Sequence, residues 1–187
     1  MLFLQNYLAP DEADGLLNWC INNETSCWRQ ETFSIYGRTV TAPRWLTWFG
    51  EKDLNYRYSG IDHVATGWPD QLRTLRDAVS CEAGCSFNFL LLNRYDHGGH
   101  YMGWHRDDES AAAPQIASLS LGGTRRFRYR QGPGERSTAI DLTSGSLLMF
   151  DGRLQHKLTK TARRVPLRFN LTFRQVAATP AMTEIKA

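Results

Sequence analysis

Few residues of this chain can build a disulfide framework or a cysteine-based metal site. The 187 residues include four cysteines, Cys20, Cys27, Cys81 and Cys85, and five histidines. No C-x-x-C pair occurs, and no histidine follows a cysteine at zinc-finger spacing. We therefore expect the cysteines to be free thiols, and nothing favours a zinc ribbon or a disulfide scaffold.

Long apolar runs are also missing. No stretch approaches the roughly 18 apolar residues of a membrane-spanning helix. The first residues, Met1–Tyr7, lack the basic start and long apolar core of a signal peptide. The sequence accordingly predicts a cytoplasmic protein without membrane contact. Its formal net charge of only +3 permits an anionic partner but does not require one.

Repeats, linkers and low-complexity tracts do not occur. The composition is 42% hydrophobic and 22% charged, which is typical of a globular protein and excludes a disordered or collagen-like chain. At this length we expect one domain over residues 1–187, with a core large enough to fold without a disulfide bond or a structural metal. We also expect a monomer.

Helical patterns occupy the first half of the chain. One helix is predicted to begin at Pro10. Its apolar residues share one face: Leu16, Leu17, Cys20 and Ile21. A second helix is predicted from about Pro69 to Ala83, with Gly84 as its stop. Its apolar stripe consists of Leu72, Leu75 and Val79.

From residue 86 onward the pattern changes to short strands separated by glycine and proline. Five apolar or alternating segments predict strands: 87–93, 116–121, 126–130, 146–150 and 168–174. The turn-rich segment 131–137 is typical of a hairpin loop. Helices followed by many short strands predict an α+β fold whose β part is a sandwich or a jelly roll.

The densest polar cluster of the chain runs from His100 to Glu109. Within it, His105 and Asp107 would point to the same side of an extended segment, because side chains alternate along a strand. This His-x-Asp pair could hold two positions of a divalent ion, and His156 is the one histidine downstream to supply a third. Two histidines and one carboxylate form the facial triad of non-haem Fe(II) oxygenases. A hydrogen-bonded structural cluster is the alternative.

The last predicted strand carries the groups that could bind an organic acid beside such a metal. Its polar residues project to one face: Arg168, Asn170, Thr172 and Arg174. Two arginines on an inner strand face are costly to bury unpaired, and a dicarboxylate would satisfy them through its matching geometry. Asn93 and Tyr95 share a face at the end of another strand and could donate hydrogen bonds to the same ligand.

Together these motifs resemble the AlkB family of Fe(II)/2-oxoglutarate-dependent dioxygenases. The resemblance covers about residues 30 to 176 and rests on six segments: Asn93-Arg-Tyr95, His105-x-Asp107, Ile116–Gly122, Gly145–Met149, His156 and Arg168–Arg174. It implies a double-stranded β-helix (jelly-roll) core over about residues 85–176. An N-terminal helix and a nucleotide-recognition lid would occupy about residues 1–68. Within the family, the chain looks most similar to the branch of nucleic-acid demethylases in which Asp-Asp-Glu follows the first histidine. Here that run is Asp107-Asp108-Glu109.

The resemblance also assigns roles to individual residues. His105, Asp107 and His156 would hold Fe(II) and form the catalytic centre. Arg168 would pair with Asp107 or with the oxalyl end of 2-oxoglutarate, and Arg174 would take the far carboxylate. The 2-oxoglutarate site would comprise Asn93, Tyr95, Arg168, Asn170, Thr172 and Arg174.

Substrate contacts are implied mainly in the lid. Tyr36 and Arg38 lie where a finger fills the base stack in members active on double strands, and Arg44, Tyr56 and Tyr58 lie where the pocket residues occur. Tyr56 and Tyr58 could equally be plain core. Glu109, and with it Asp108, would read the polar edge of the base. His97 and His100 belong to a glycine-rich loop and are not expected to be ligands.

The implied activity is oxidative demethylation of N1-methyladenine and N3-methylcytosine in DNA. The reaction would use Fe(II), 2-oxoglutarate and dioxygen and would release formaldehyde, succinate and carbon dioxide. RNA or a protein side chain could be the substrate instead, and a non-catalytic nucleic-acid-binding module of the same fold is a third hypothesis. Basic residues could contact phosphates or form a solvated face: Arg125, Arg126, Arg128, Arg130, Lys157, Lys160, Arg163 and Arg164.

Overall fold

The computed structural model describes residues 1–23, 27–35, 38–58, 60–109 and 111–177. Two helices lie in this part of the chain, α1 (Pro10–Asn22) and α2 (Asp70–Ala83). The strands of the first half are β1 (Leu2–Leu4), β2 (Thr32–Ile35), β3 (Arg38–Thr41), β4 (Trp45–Gly50), β5 (Asn55–Tyr58) and β6 (Ile61–Val64). The remaining strands are β7 (Phe89–Tyr95), β8 (Met102–His105), β9 (Ala112–Gly122), β10 (Arg125–Arg130), β11 (Thr138–Leu142), β12 (Leu147–Asp151), β13 (Gln155–Leu158) and β14 (Arg168–Val176).

Two antiparallel sheets form the body of the protein. The larger sheet has the strand order β1-β12-β9-β14-β7-β4, and the smaller has the order β11-β10-β13-β8. Two hairpins, β2-β3 and β5-β6, complete the described strands. The neighbours are largely non-consecutive in sequence, as in a jelly roll. This arrangement confirms the predicted α+β class.

Both helices cover one face of the larger sheet. Their buried side chains form one core with the apolar face of β14: Ala13, Leu16, Cys20, Leu72, Leu75, Val79, Phe169, Leu171 and Phe173. The helix at Pro10 is confirmed, but the prediction that Ile21 lies on its buried face is wrong, because Ile21 is 46% exposed. Ala13 is buried there instead, one helical turn before Leu16. Gly84 ends α2 in the left-handed conformation, as predicted.

The opposite face of the larger sheet turns toward the smaller sheet. Arg168, Asn170, Thr172 and Arg174 line a pocket there, together with Asn93 and Tyr95 of the neighbouring β7. The alternation of β14 therefore divides its residues between core and pocket as the sequence predicts. Among the described helices, none has the length and apolar character needed to cross a membrane.

Candidate active site

Three potential metal ligands meet between the two sheets. His105 ends β8 and lies directly opposite His156 of β13 in the antiparallel register, and Asp107 follows two residues after β8. Their ligand atoms all lie within 4.8 Å of one another. The Asp107 carboxylate is 3.6 Å from Nε2 of His105 and 3.4 Å from Nε2 of His156. The structure thus assembles the three residues that the sequence suggests as a facial triad.

Backbone carbonyls hold both imidazoles in one orientation. Nδ1 of His105 lies 2.8 Å from the carbonyl oxygen of Gly103, and Nδ1 of His156 lies 2.7 Å from that of Leu154. A protonated Nδ1 donates to each carbonyl, which leaves the Nε2 lone pair directed toward Asp107. Burial, followed by the nearby His156, lowers the pKa of His105 to about 4. Neutral His105 is therefore the form present near neutral pH, as metal binding requires.

Arg174 is the ion-pair partner of Asp107. Nη2 of Arg174 donates to Oδ2 of Asp107 over 2.6 Å, and both side chains are almost fully buried. Burial alone would raise the pKa of Asp107, but Arg174 and the neighbouring His156 outweigh it and keep that pKa well below its usual range. The prediction that Arg168 pairs with Asp107 is therefore wrong, because the inner face of β14 presents Arg174 at that end of the pocket.

A glycine allows the Asp107 segment to pack closely. The amide of Asp107 donates to the carbonyl of Gly152 over 2.8 Å. A Cβ at Gly152 would overlap the Asp107 carbonyl oxygen and would lie 2.7 Å from Cδ1 of Ile116. Only glycine fits here without a shift of the backbone that carries Asp107, so Gly152 is a site residue that the sequence did not indicate.

Arg168 occupies the other end of the pocket without a carboxylate partner among the described residues. Its Nη2 donates to the hydroxyl of Ser120 over 2.9 Å, while Nε and Nη1 are buried without hydrogen-bond partners. The guanidinium lies 5.3 Å from the ring centre of Tyr95. Burial lowers the pKa of Arg168 to about 10, so it stays charged at neutral pH. A buried cation with free donors is a site for an anionic ligand.

Two serines of β9 that the sequence analysis did not identify complete the polar wall of the pocket. Ser118 accepts a hydrogen bond from the side-chain amide of Asn170 over 2.8 Å, and Ser120 binds Arg168. Both alternate with apolar residues in the predicted strand 116–121, so their spacing was the available signal. Apolar side chains also line the pocket, among them Met102, Phe127, Leu142, Phe150 and Leu158.

Two further contacts involve residues that the resemblance predicts to meet the substrate. Nε of Arg44 donates to Oδ1 of Asn93 over 2.8 Å, and Arg44 lines the pocket. The hydroxyl of Tyr56 donates to Glu109 over 2.9 Å. Burial is the main reason that the pKa of Glu109 is raised above its usual value. Tyr56 is fully buried, so in this structure it holds Glu109 and its ring is not available for stacking on a base. Its contact with a base stays a prediction.

Of the other predicted substrate residues, Asp108 is exposed. Arg38 and Tyr58 lie on the hairpin strands β3 and β5, but their side chains and the whole of Tyr36 are outside the described residues. His97 and His100 lie outside the triad, with their rings 4.2 Å apart. Arg125 is buried and donates to backbone carbonyls, among them those of His100 and Thr159.

The chain matches a known family over nearly its whole length. Residues 1–174 match the family model described as the 2OG-Fe(II) oxygenase superfamily, so Fe(II) and 2-oxoglutarate are the metal and co-substrate that this family and the triad imply. The DNA oxidative demethylase ALKBH2 of Homo sapiens is 35% identical over 159 residues, which cover 78% of this chain and 61% of that protein. The human alpha-ketoglutarate-dependent dioxygenase alkB homolog 3 is 36% identical, covering 93% of this chain and 65% of that protein. The chain thus spans less than two thirds of these relatives.

Solved structures share the fold at low sequence identity. The structure of OsALKBH1 superimposes with a TM-score of 0.63 at 18% identity and covers 92% of this chain and 95% of that one. A prolyl hydroxylase from Trichoplax adhaerens, solved with a peptide fragment of the hypoxia inducible factor oxygen degradation domain, gives 0.67 at 13% identity, covering 94% and 82%. With the His-Asp-His cluster and the family match, these findings confirm the resemblance drawn from the motifs: the chain belongs to the 2OG-Fe(II) oxygenase superfamily.

Proposed function

We propose that this protein is an Fe(II)/2-oxoglutarate-dependent dioxygenase that removes methyl groups from N1-methyladenine and N3-methylcytosine in DNA. The observation that carries the proposal is the geometry of one pocket, in which the His105-Asp107-His156 cluster and the cation of Arg168 face the same space. The similarity to the human DNA oxidative demethylase supports the choice of substrate.

The donor set fits an Fe(II) ion. His105, Asp107 and His156 would hold it through two imidazole nitrogens and one carboxylate, which suits non-haem iron. When bound, iron supplies the activation of dioxygen that drives oxidation of the methyl group. Arg174 keeps Asp107 ionised, and the carbonyls of Gly103 and Leu154 hold the two rings in place.

The buried cation of Arg168 fits the far carboxylate of 2-oxoglutarate. Its unsatisfied Nε and Nη1 would gain the hydrogen bonds that the described residues do not provide. Asn93, Tyr95, Asn170 and Thr172 line the same pocket and would contact the rest of the co-substrate. Arg174 would then lie at the oxalyl end beside Asp107. This assignment exchanges the roles that the resemblance had suggested for the two arginines.

The overall reaction balances with one dioxygen per methyl group. Two electrons come from the N-methyl group and two from 2-oxoglutarate, which loses carbon dioxide and becomes succinate. The methyl carbon leaves as formaldehyde, the ring nitrogen regains its lone pair, and the positive charge of the methylated base leaves as a proton. Because a stacked base cannot reach a pocket inside the protein, the lesion must be flipped out, and a methylated pairing edge lowers the cost of flipping. Glu109 and Asp108 would accept hydrogen bonds from that edge.

A direct assay tests the proposal. The protein is incubated with Fe(II), 2-oxoglutarate, ascorbate and oligonucleotides that carry either lesion, in single- and double-stranded DNA and in RNA. We expect formaldehyde and succinate in equal amounts and loss of the methyl group from DNA. The His105→Ala variant should be folded by circular dichroism but inactive.

Each other result contradicts a defined part of the proposal. Succinate formation without demethylation of any DNA would point to another substrate, and demethylation of RNA alone would overturn the choice of DNA. If the folded protein forms no succinate, the dioxygenase assignment fails.

A further inference from the structure

The smaller sheet has a second face that the proposed reaction does not use. His105, His156 and Phe127 point from this sheet into the pocket. Alternation along β10 and β13 sends Arg128, Arg130 and Lys157 to the other side, where Arg128 and Lys157 are direct neighbours in the register. Trp104 joins them from β8, as its contacts with Arg130 and Lys157 show. We call these four residues the outer patch.

An aromatic ring organises the cations of the outer patch. The guanidinium carbon of Arg130 lies 4.2 Å from the centre of the Trp104 ring, and Nζ of Lys157 lies 4.6 Å from it. At such distances the ring attracts a cation and restricts its motion. Nε of Arg130 also donates to the side chain of Gln155 over 2.7 Å. Two positive charges are thus held side by side on a rigid strand surface.

These charges have no carboxylate partners in the described part of the chain. Arg128 donates to the hydroxyl of Ser137, and Arg130 to an amide oxygen. The strands of this sheet contain a single carboxylate, that of Asp141, and it pairs with Arg126 through two hydrogen bonds of 2.8 Å. Ordered cations without counterions attract an anion, and several in a row suit a polyanion.

A second cation–aromatic pair lies between the outer patch and the lid. Nζ of the exposed Lys160 is 5.8 Å from the ring centre of Tyr101. The amide of Tyr101 donates to the carbonyl of Pro43 over 3.1 Å, next to the pocket residue Arg44. From Tyr101 to Trp104 the chain extends about 10 Å, at roughly 3.3 Å per residue of strand. A basic and aromatic path therefore leads from the lid edge of the pocket across the smaller sheet.

We propose that the outer patch, with Lys160 and Tyr101, binds the phosphate backbone of the nucleic-acid strand that flanks the reacting base. The inference rests on the proposed function for the nature of the ligand. It assigns Trp104 the role of a platform that holds Arg130 and Lys157 against the phosphates. Arg126, which is neutralised by Asp141, and the buried Arg125 do not belong to the surface.

Binding and turnover measured on the same variants test this surface. The variants are Arg130→Ala, Lys157→Ala and Trp104→Phe, with Arg73→Ala as a control that removes one exposed charge from α2. Fluorescence anisotropy with an unmethylated single-stranded oligonucleotide gives affinities over a range of salt concentrations. Turnover is measured on a methylated trinucleotide, which offers only two linking phosphates, and on a long methylated strand.

Each lost cation should weaken binding of the long strand about two- to fivefold and lower the salt slope by about 0.7. The apparent KM for the long methylated strand should rise by the same factor, with kcat unchanged. Turnover of the trinucleotide should stay at the wild-type value in all variants. Trp104→Phe keeps an aromatic ring and should lie between the wild type and Lys157→Ala. Arg73→Ala should leave both affinity and salt slope unchanged.

The outcomes separate the two proposals. If the wild type demethylates oligonucleotides but Arg130→Ala and Lys157→Ala bind the long strand like Arg73→Ala, the surface is wrong and the function stands. If the wild type binds through the outer patch but demethylates nothing, the proposed function fails alone. Displacement of the oligonucleotide by polyglutamate as effectively as by unlabelled DNA would overturn the surface in favour of an acidic polypeptide partner.

Discussion

Arg174 and Asp107 form a buried ion pair of 2.6 Å at the centre of the proposed metal site. The pair sets the charge of the one carboxylate among the three expected ligands. Arg174 is committed to Asp107, whereas Arg168 has no carboxylate partner in the described part of the chain and keeps Nε and Nη1 without hydrogen-bond partners. Replacing Arg174 should therefore affect metal binding, and replacing Arg168 should affect 2-oxoglutarate binding.

Arg174→Met should weaken metal binding. Asp107 would lose the cation that offsets its burial, and its pKa would rise, so protons would compete better with the metal. We expect the affinity for Co(II), a spectroscopic substitute for Fe(II), to fall about 10- to 100-fold, as for other losses of groups that support metal ligands. Titration followed by visible absorption measures it. Arg174→Lys should recover part of the loss, and wild-type affinity in Arg174→Met would contradict the role.

Arg168→Met should act on 2-oxoglutarate and leave the metal site intact. The loss of a charged hydrogen-bonding partner corresponds to an increase in KM for 2-oxoglutarate of about 10- to 100-fold. Succinate formation at varied 2-oxoglutarate measures it, and Co(II) affinity should be unchanged. Ser120→Ala removes only the hydroxyl that supports Arg168 and should have a smaller effect. An unchanged KM in Arg168→Met would place the far carboxylate elsewhere.

The metal-free protein should become less stable as the pH falls from 6.5 toward 4. The pKa of His105 is lowered from 6.5 in an unfolded chain to about 4 in the folded protein. Between these values the unfolded chain binds the proton more readily, so lowering the pH favours unfolding. Denaturant titrations over this range measure the effect. His105→Gln, which has no titrating ring, should show a shallower slope than the wild type, and equal slopes would contradict the shift.

Gly152→Ala should damage the site through the backbone. A methyl group at this position overlaps the carbonyl oxygen of Asp107 and crowds Ile116, so the segment that carries Asp107 must shift. We expect about 1–3 kcal/mol of lost stability together with weaker Co(II) binding. Gly15→Ala is the matched control, because its Cβ meets nothing within 4 Å. That change should not affect metal binding, and it should stabilise α1 by roughly 1 kcal/mol. Normal Co(II) binding in Gly152→Ala would show that the segment tolerates the methyl group.

Several elements of the fold could be predicted because their signals are local. The stripe of Leu72, Leu75 and Val79 and the stop at Gly84 identified α2 almost to the residue. Nine strands were not predicted as strands, namely β1 to β6, β8, β11 and β13. Their few residues carry too little alternation, and several of them are stabilised by pairing with partners distant in sequence. The prediction of a hairpin loop at residues 131–137 is confirmed, since β10 and β11 pair on either side of it.

The sequence by itself determined which residues of β14 face the pocket. Side chains alternate along a strand with a period of two residues, so Arg168 and Arg174 share one face regardless of the neighbouring strands. It also supplied His105, Asp107 and His156 as the ligand set. Only the tertiary structure decided which arginine meets Asp107, that Tyr56 binds Glu109, and that Ser118 and Ser120 join the site. Those contacts depend on the register and spacing of strands far apart in the chain, which no local pattern encodes.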